Sequence, residues 1–278
     1  MLLDIIRERK TLTLTLKFSD LSNNLVIIPT YNEKENITEI IQAVFDLPVP
    51  FHVLIVDDGS PDGTGRIVKS MMETYPDSLH IVERKGKLGL GTAYIRGFRW
   101  AIERRYDFIC EMDADFSHNP KDLVRLRAAC IDEKVDVSVG SRYVKGGKCV
   151  NWPWDRFILS YGASWYVKMI TWMPINDPTA GFVCYRREVL EALDLDAIRF
   201  IGYAFQIEMK YAARTLGFKL TEVPITFTDR IIGISKMSKG IIKEAIFGVI
   251  DMRWKSFSNS YSRKKNRLKR QRMLEMNH

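Results

Sequence analysis

The chain has 278 residues, of which 46% are hydrophobic, and a formal net charge of +8. That length allows one substantial core plus appendages. Its four cysteines (Cys110, Cys130, Cys149, Cys184) show no Cys-x-x-Cys spacing, which argues against a zinc site or a disulfide framework and fits a reducing compartment. No apolar run approaches the roughly eighteen residues of a membrane span, and Met1 to Lys17 carries interspersed charges instead of the apolar core of a secretory signal.

In chain order, Leu12, Leu14 and Leu16 alternate with threonines in a segment that reads as a half-buried strand or an extension. From Leu25 the pattern becomes regular. Strands are expected at Leu25-Ile28, Val53-Val56, Leu79-Val82, Asp107-Met112 and Val135-Val139. Helices are expected between them from Glu33, from about Thr64, over Thr92-Glu103 and from Lys121. Asn32 followed by Glu35 fits a capping box opening the first helix. Strands alternating with helices of this length imply βαβ units and a mostly parallel sheet.

The regularity breaks at Trp152-Met173, where Trp152, Trp154, Phe157, Tyr161, Trp165, Tyr166 and Trp172 mix with Arg156 and Lys168. A helical plot puts Phe157, Tyr161, Trp165 and Met169 on one stripe. Lys239-Lys255 carries Ile242, Ile246, Val249 and Ile250 on one side. Either segment alone reads as a core helix. Together, beside the basic run Arg263-Arg272, they point to helices lying in a membrane interface. That run is a solvated tail or an attachment to an anionic surface, nucleic acid or lipid.

Two strands end in acid: Asp107-Met112 runs into Asp113-Ala114-Asp115, and Val53-Val56 into Asp57-Asp58. Carboxylates spaced Asp-x-Asp at a strand terminus suit Mg²⁺ or Mn²⁺, which take oxygen ligands. Open α/β sheets bind ligands at that edge, and the fitting cargo is a diphosphate. Asp57 reads as a cap of its turn. The glycine run Gly86-Gly91 does not follow the first strand, so it is no dinucleotide fingerprint. Gln206 and Glu208 either hydrogen bond the hydroxyls of a bound ligand or anchor their helix.

The segments Ile28-Pro29-Thr30-Tyr31-Asn32-Glu33 and Val56-Asp57-Asp58-Gly59-Ser60-Pro61-Asp62-Gly63-Thr64 resemble the nucleotide-sugar half of family 2 glycosyltransferases. The resemblance narrows with Lys87-Leu88-Gly89-Leu90-Gly91-Thr92-Ala93-Tyr94, Asp113-Ala114-Asp115-Phe116-Ser117-His118 and Gly140-Ser141-Arg142-Tyr143. Asp177-Pro178-Thr179-Ala180-Gly181-Phe182, the stretch Gly202 to Glu208, and Asp229-Arg230 with Gly233, Ser235 and Lys236 extend it. From about residue 25 to 257 the chain is similar to the polyprenol-phosphate (dolichol-phosphate) mannose synthases of that family.

The resemblance implies a GT-A-type α/β fold, a Rossmann-like nucleotide-sugar-binding half in a mostly parallel sheet, with amphipathic interface helices. It implies a metal-dependent, inverting transfer of mannose from GDP-mannose to a polyprenyl monophosphate; a sister enzyme using a UDP-sugar such as UDP-glucose is the alternative. Donor contacts carried over are Pro29, Tyr31, Glu33, Val56 and Asp58, then Asp113, Ala114, Asp115 and Ser117, and finally Arg142, Arg230 and Lys236. Mg²⁺ or Mn²⁺ would sit on Asp113 and Asp115, with Ser117 where the family often has Gln. Arg142, Arg156 and Ser160 match acceptor-phosphate positions, and Asp113, Asp115 and Arg142 the catalytic ones. The expected organisation is an extension (1–24), a glycosyltransferase unit (25–237) containing the interface helix (152–173), an amphipathic helix (238–257) and a basic tail (258–278). The expected partners are GDP-mannose, polyprenyl phosphate and an anionic membrane surface, with no nucleic acid. The expected place is the cytoplasm, peripherally bound to the cytoplasmic face of the membrane.

Overall fold

A computed structural model describes residues 23–202, 204–229, 248–254 and 261–262. Leu12-Leu16, Arg230, Lys236, the larger part of Lys239-Lys255 and the basic run Arg263-Arg272 lie outside the described residues. The elements are β1 (Asn24–Thr30), α1 (Ile37–Phe45), β2 (His52–Asp57), α2 (Thr64–Met72), β3 (Leu79–Glu83), α3 (Leu90–Glu103) and β4 (Phe108–Glu111). They continue with α4 (Asp122–Asp132), β5 (Val137–Ser141), β6 (Lys148–Val150), α5 (Trp154–Thr171), β7 (Val183–Arg186), α6 (Arg187–Ala192), α7 (Ala204–Thr215), β8 (Leu220–Pro224) and β9 (Thr226–Thr228).

Seven strands form one sheet in the order β3-β2-β1-β4-β7-β5-β8. The first four are mutually parallel, β7 runs antiparallel to both β4 and β5, and β5-β8 is parallel again. The α/β architecture with a mostly parallel sheet is therefore as expected, with one reversed strand. β6 and β9 form a separate parallel pair.

Each central strand is buried on both faces, which explains why its sequence is a continuous apolar run. Leu25 and Ile27 of β1 pack with Leu54, Val56 and Phe98 on one side. Val26 and Ile28 pack with Ile40, Val44 and Ile55 on the other. A Cβ on Gly97 would come within 2.7 Å of Ile27, so α3 can lie this close to β1 only with glycine there.

The capping box does not form. Asn32 takes a left-handed backbone (φ 59°), and α1 starts only at Ile37. The Glu33 carbonyl accepts from the N–H groups of Asn36 (3.0 Å) and Ile37 (2.9 Å), while Asn36 Nδ2 donates to Glu33 Oε2 at 3.2 Å. Six residues after the strand, 31–36, are thus spent on a loop, which is where a ligand site belongs. β1 passes through α1 to β2 on one side while β4 flanks it on the other, so a crevice opens between the carboxyl ends of β1 and β4.

α5 is built inside out. Its buried positions are Ser164, Val167 and Thr171, whereas Trp154 (80% exposed) and Trp165 (58%) face outward with Ile158, Tyr161 and Met169. Residues 248–254 are helical, and there Arg253 lies 4.6 Å from the ring of Trp172, just past the end of α5.

Candidate active site

The loops after β1 and β2 are sewn together by short polar side chains. Asp57 Oδ1 accepts from Thr30 Oγ1 (2.8 Å) and Ser60 Oγ (2.6 Å), and its Oδ2 from the Ser60 N–H (2.9 Å). The Asp57 carboxylate is thereby a cap of its turn. Across the gap the N–H groups of Asn32, Glu33 and Lys34 donate to Ser60, Thr64 and Asp62. Burial alone would raise the Asp62 carboxyl, but bonds from Thr64 and the Lys34 N–H hold it below its usual range. Tyr31 sits on this rim with Lys87 Nζ 5.4 Å from its ring centre. Asp58 is buried and paired with Arg84, whose Nε and Nη2 both lie 2.5 Å from Oδ1. Burial pushes the Asp58 carboxyl up, and the guanidinium offsets that in part.

At the end of β4 the chain turns sharply. Phe116 takes a left-handed backbone (φ 58°), a strained state for an aromatic residue and one concentrated at functional loops. The turn lets the Ser117 N–H donate to Asp115 Oδ1 at 3.0 Å and leaves the Asp113 side chain 40% exposed. Among the described residues no three His, Cys, Asp or Glu side chains converge as a metal cage. Two partly exposed carboxylates nonetheless fit a hard divalent cation whose remaining ligands come from substrate and water. Behind them Glu111 is fully buried and pushed up to about 8, chiefly by burial.

His118 joins this turn to the second half of the site. It is buried, stacked on Phe182 (4.7 Å between centroids) and edge-on to Phe227. Its Nδ1 lies 3.5 Å from the Asp113 N and 3.9 Å from Asp113 Oδ2. Desolvation lowers it to about 4, so the ring is neutral at pH 7. Beyond it, Arg142 makes a bidentate pair with Asp177 (Nε–Oδ2 and Nη2–Oδ1, both 2.7 Å), and Nη2 also donates to Thr179. Arg142 lies 5.4 Å from the Trp152 ring and 5.5 Å from Phe227. Arg156 lies 4.6 Å from the centre of the same Trp152 ring and pairs with Asp229 at 2.5 Å. Ser160 Oγ accepts from Tyr143 Oη at 2.8 Å. A nest of aromatic rings thus holds two guanidinium groups and two hydroxyls beside the acidic turn.

Against known proteins, the model of Glycosyl transferase family 2 matches residues 25–194. The chain belongs to glycosyltransferase family 2. This glycosyltransferase is 49% identical over 227 residues to the polyprenol monophosphomannose synthase of Mycolicibacterium smegmatis, covering 82% of this chain and 85% of that one. It is 46% identical over 230 residues to the undecaprenyl-phosphate mannosyltransferase of Micrococcus luteus, covering 83% and 93%. Among solved structures, a Pyrobaculum calidifontis mannosyltransferase in complex with GDP-Man and Mn²⁺ superposes with a TM-score of 0.55 at 20% identity, covering 86% of this chain and 65% of that one. Glucosyl-3-phosphoglycerate synthase of Mycobacterium tuberculosis, with Mn²⁺ and UDP, gives 0.58 at 16% identity, covering 84% and 78%. At those identities the structures speak for the fold alone.

In this family 2 glycosyltransferase, Pro29, Tyr31, Glu33, Asp58, Asp113, Ala114, Asp115 and Ser117 all lie at the carboxyl edge of β1, β2 and β4. Val56 is one register step back and wholly buried in the core, so its side chain supports the site from behind. Arg142, Arg156 and Ser160 come together from β5–β6 and α5, although Asp177 engages three sides of Arg142 and leaves Nη1 outside those bonds. Arg230 and Lys236 lie outside the described residues. Glu208 accepts from the N–H groups of Arg199 and Phe200 and from Tyr261 Oη, so it anchors its helix. Gln206 is buried with Oε1 3.3 Å from Lys210 Nζ. Arg84, His118 and Asp177 take their places at the site only in the fold, through Asp58, Phe182 and Arg142. Nothing in the local pattern marks Arg84, whereas an acid beside Pro-Thr-Ala-Gly at Asp177 was a visible signal.

Proposed function

We propose that this glycosyltransferase moves mannose from GDP-mannose to a polyprenyl monophosphate with inversion, releasing GDP. The observation that carries this reading is the joining of an acidic turn (Asp113, Asp115) to an arginine–hydroxyl nest (Arg142, Arg156, Ser160) through His118 and Phe227. A transferase joining a diphosphate donor to a phosphate acceptor needs two adjoining places of this kind. The names borne by relatives at 46–49% identity support the same substrates.

A phosphomonoester with a second pKa near ~6 is largely dianionic at neutral pH, so the acceptor needs no side-chain base. One of its oxygens attacks the anomeric carbon as the bond from that carbon to the GDP diphosphate breaks, with the electron pair leaving on GDP. A Mg²⁺ or Mn²⁺ held by Asp113 and Asp115, with Ser117 beside them, would act as a Lewis acid on the departing diphosphate. Arg156 and Ser160, fixed by Asp229, Trp152 and Tyr143, orient the acceptor phosphate. Arg142, braced by Asp177, adds a fixed positive charge between the two substrates. Tyr31, Glu33 and Asp58 hold the nucleoside, with Arg230 and Lys236 contributing cations from outside the described residues.

An isoprenoid tail stays in lipid, so the site must work at a bilayer surface. The outward aromatic face of α5 suits peripheral attachment to the cytoplasmic leaflet, and among the described residues no helix is long and apolar enough to cross a membrane. The test is initial-rate transfer from GDP-mannose and from UDP-glucose to a short polyprenyl phosphate with Mn²⁺. We expect mannose transfer from GDP-mannose; faster transfer from UDP-glucose would replace the donor assignment.

A further inference from the structure

The donor rim is not held by the sheet alone. The turn Gly89-Gly91, which opens α3, rests on the segment Arg199-Ile201. The Gly91 N–H donates to the Ile201 carbonyl at 2.9 Å. A Cβ on Gly91 would meet Phe205 at 2.7 Å and the Phe200 carbonyl at 2.8 Å, and a Cβ on Gly89 would meet Ile201 at 3.1 Å. Contact this close requires glycine at both places, so the turn packs directly on the 199–201 segment. On its other side the turn grips Arg84: Nη1 donates to Thr92 Oγ1 (2.7 Å) and Nη2 to the Gly89 carbonyl (3.4 Å). Arg84 in turn holds Asp58.

The 199–201 segment is itself fastened by one side chain. Glu208, fully buried on α7, accepts the N–H of Arg199 at 2.8 Å and that of Phe200 at 3.0 Å on Oε2, and the Tyr261 hydroxyl at 3.1 Å on Oε1. Arg199 Nη1 donates to Asp251 Oδ2 at 2.8 Å, and the Phe200 ring lies against Gly248. Asp251 and Gly248 belong to the helical stretch 248–254, whose Trp254 is 79% exposed and whose Arg253 covers Trp172. Contacts therefore run without a gap from the outward helix through Arg199 and Glu208 to the glycine turn, Arg84 and Asp58.

We infer that Glu208 and Arg199 are positioning residues for the nucleotide-sugar donor: they set the glycine turn that holds Arg84 against Asp58, and they make that setting depend on the seating of residues 248–254. Neither touches substrate. The inference rests on the reading of Tyr31 and Asp58 as donor contacts. It adds that donor affinity, and not acceptor affinity, is tuned from the outward helix.

The test uses the full chain and three variants, Glu208→Gln, Arg199→Ala and Asp251→Ala, with GDP titrated calorimetrically in the presence of Mn²⁺ and with separate KM values for GDP-mannose and a short polyprenyl phosphate. We expect a several-fold weaker GDP Kd and a matching rise in donor KM in all three, with acceptor KM unchanged, and an intermediate value in Arg199→Lys, which retains the charge facing Asp251. Asp251 is partly exposed and far along the chain from the donor residues, so its variant keeps the test open should Glu208→Gln fail to fold. A lowered Tm with unchanged GDP Kd, or equal rises in both KM values, overturns the inference. Wild type that binds GDP but transfers no mannose would instead overturn the proposed reaction and leave the positioning result readable from the GDP titrations.

Discussion

Asp113 and Asp115 stand one residue apart on a turn whose shape is set by the left-handed backbone of Phe116 and by the Ser117 N–H on Asp115. With no third acidic or histidine side chain converging among the described residues, each carboxylate would, under the proposed reaction, supply a large share of the protein's hold on a cation. Asp113→Ala or Asp115→Ala should therefore lower kcat by roughly 100-fold or more, a loss of a few kcal/mol of transition-state stabilisation. Initial rates with and without excess EDTA measure this, and full activity in EDTA would sink it. His118 offers a second handle. Its folded-state value near 4 lies below the ~6.5 of an unfolded histidine, so between those values only the unfolded chain takes up the proton. Stability from this residue is complete above about pH 6.5 and is lost as pH falls toward 4, by at most about 3 kcal/mol. Urea unfolding at pH 7.5 and 5.0 should show the fall, and His118→Gln should flatten it; parallel profiles would refute the assignment. The two carboxylates were legible in the sequence because they end an apolar strand. Their companions were not: Arg84 reaches Asp58 across 26 residues and Asp177 reaches Arg142 across 35, and only the fold closes such gaps.

Strands β1 and β2 were legible because burial on both faces leaves an unbroken apolar run. β3 and β4 were legible because Leu79, Ile81 and Val82 and then Phe108, Ile109 and Cys110 still stand out between turns, and three of the helices begin within about two residues of expectation. The first helix was not, since Asn-x-x-Glu looks the same in a capping box and in the loop that the left-handed Asn32 makes. β7 carries only four residues, Val183–Arg186, and its reversal follows from pairing between β4 and β5 and not from any local pattern. α5 was legible as a helix with an aromatic stripe, and which side faces inward is decided by its small residues. Ser164 and Thr171 are buried, the first 3.3 Å from Thr179 and the second bonded to the Val167 carbonyl, so the large rings are left outside. An exposed apolar face of this kind predicts lipid contact more than stability. Trp154→Ser with Trp165→Ser should change unfolding free energy by under about 1 kcal/mol while clearly reducing flotation with neutral liposomes. Strong destabilisation with unchanged flotation would show that these rings pack against protein instead.

At the scale of the whole molecule, the proposed reaction asks a chain with no membrane-spanning helix among its described residues to meet an acceptor whose isoprenoid tail lies in the bilayer. In the proposed attachment, apolar contact would come from α5 and from Trp254 and Trp172, which adjoin through Arg253. Charge would come from the sequence beyond Ser262, where Arg263, Lys264, Lys265, Arg267, Lys269, Arg270 and Arg272 follow one another with no acid between them. Near an anionic leaflet each such charge contributes roughly 1 kcal/mol and fades within a Debye length, about 10 Å at 0.1 M salt. The two contributions are separable, because salt screens the second and leaves the first. Wild-type protein should float with anionic liposomes at low salt far better than with neutral ones, and lose much of that preference at high salt. A chain ending at Ser262 should bind both kinds alike, weakly and with little salt dependence, while keeping its rate on a detergent-dispersed acceptor. If the wild type ignores lipid charge, attachment rests on the aromatic face alone and the basic run is a solvated appendage.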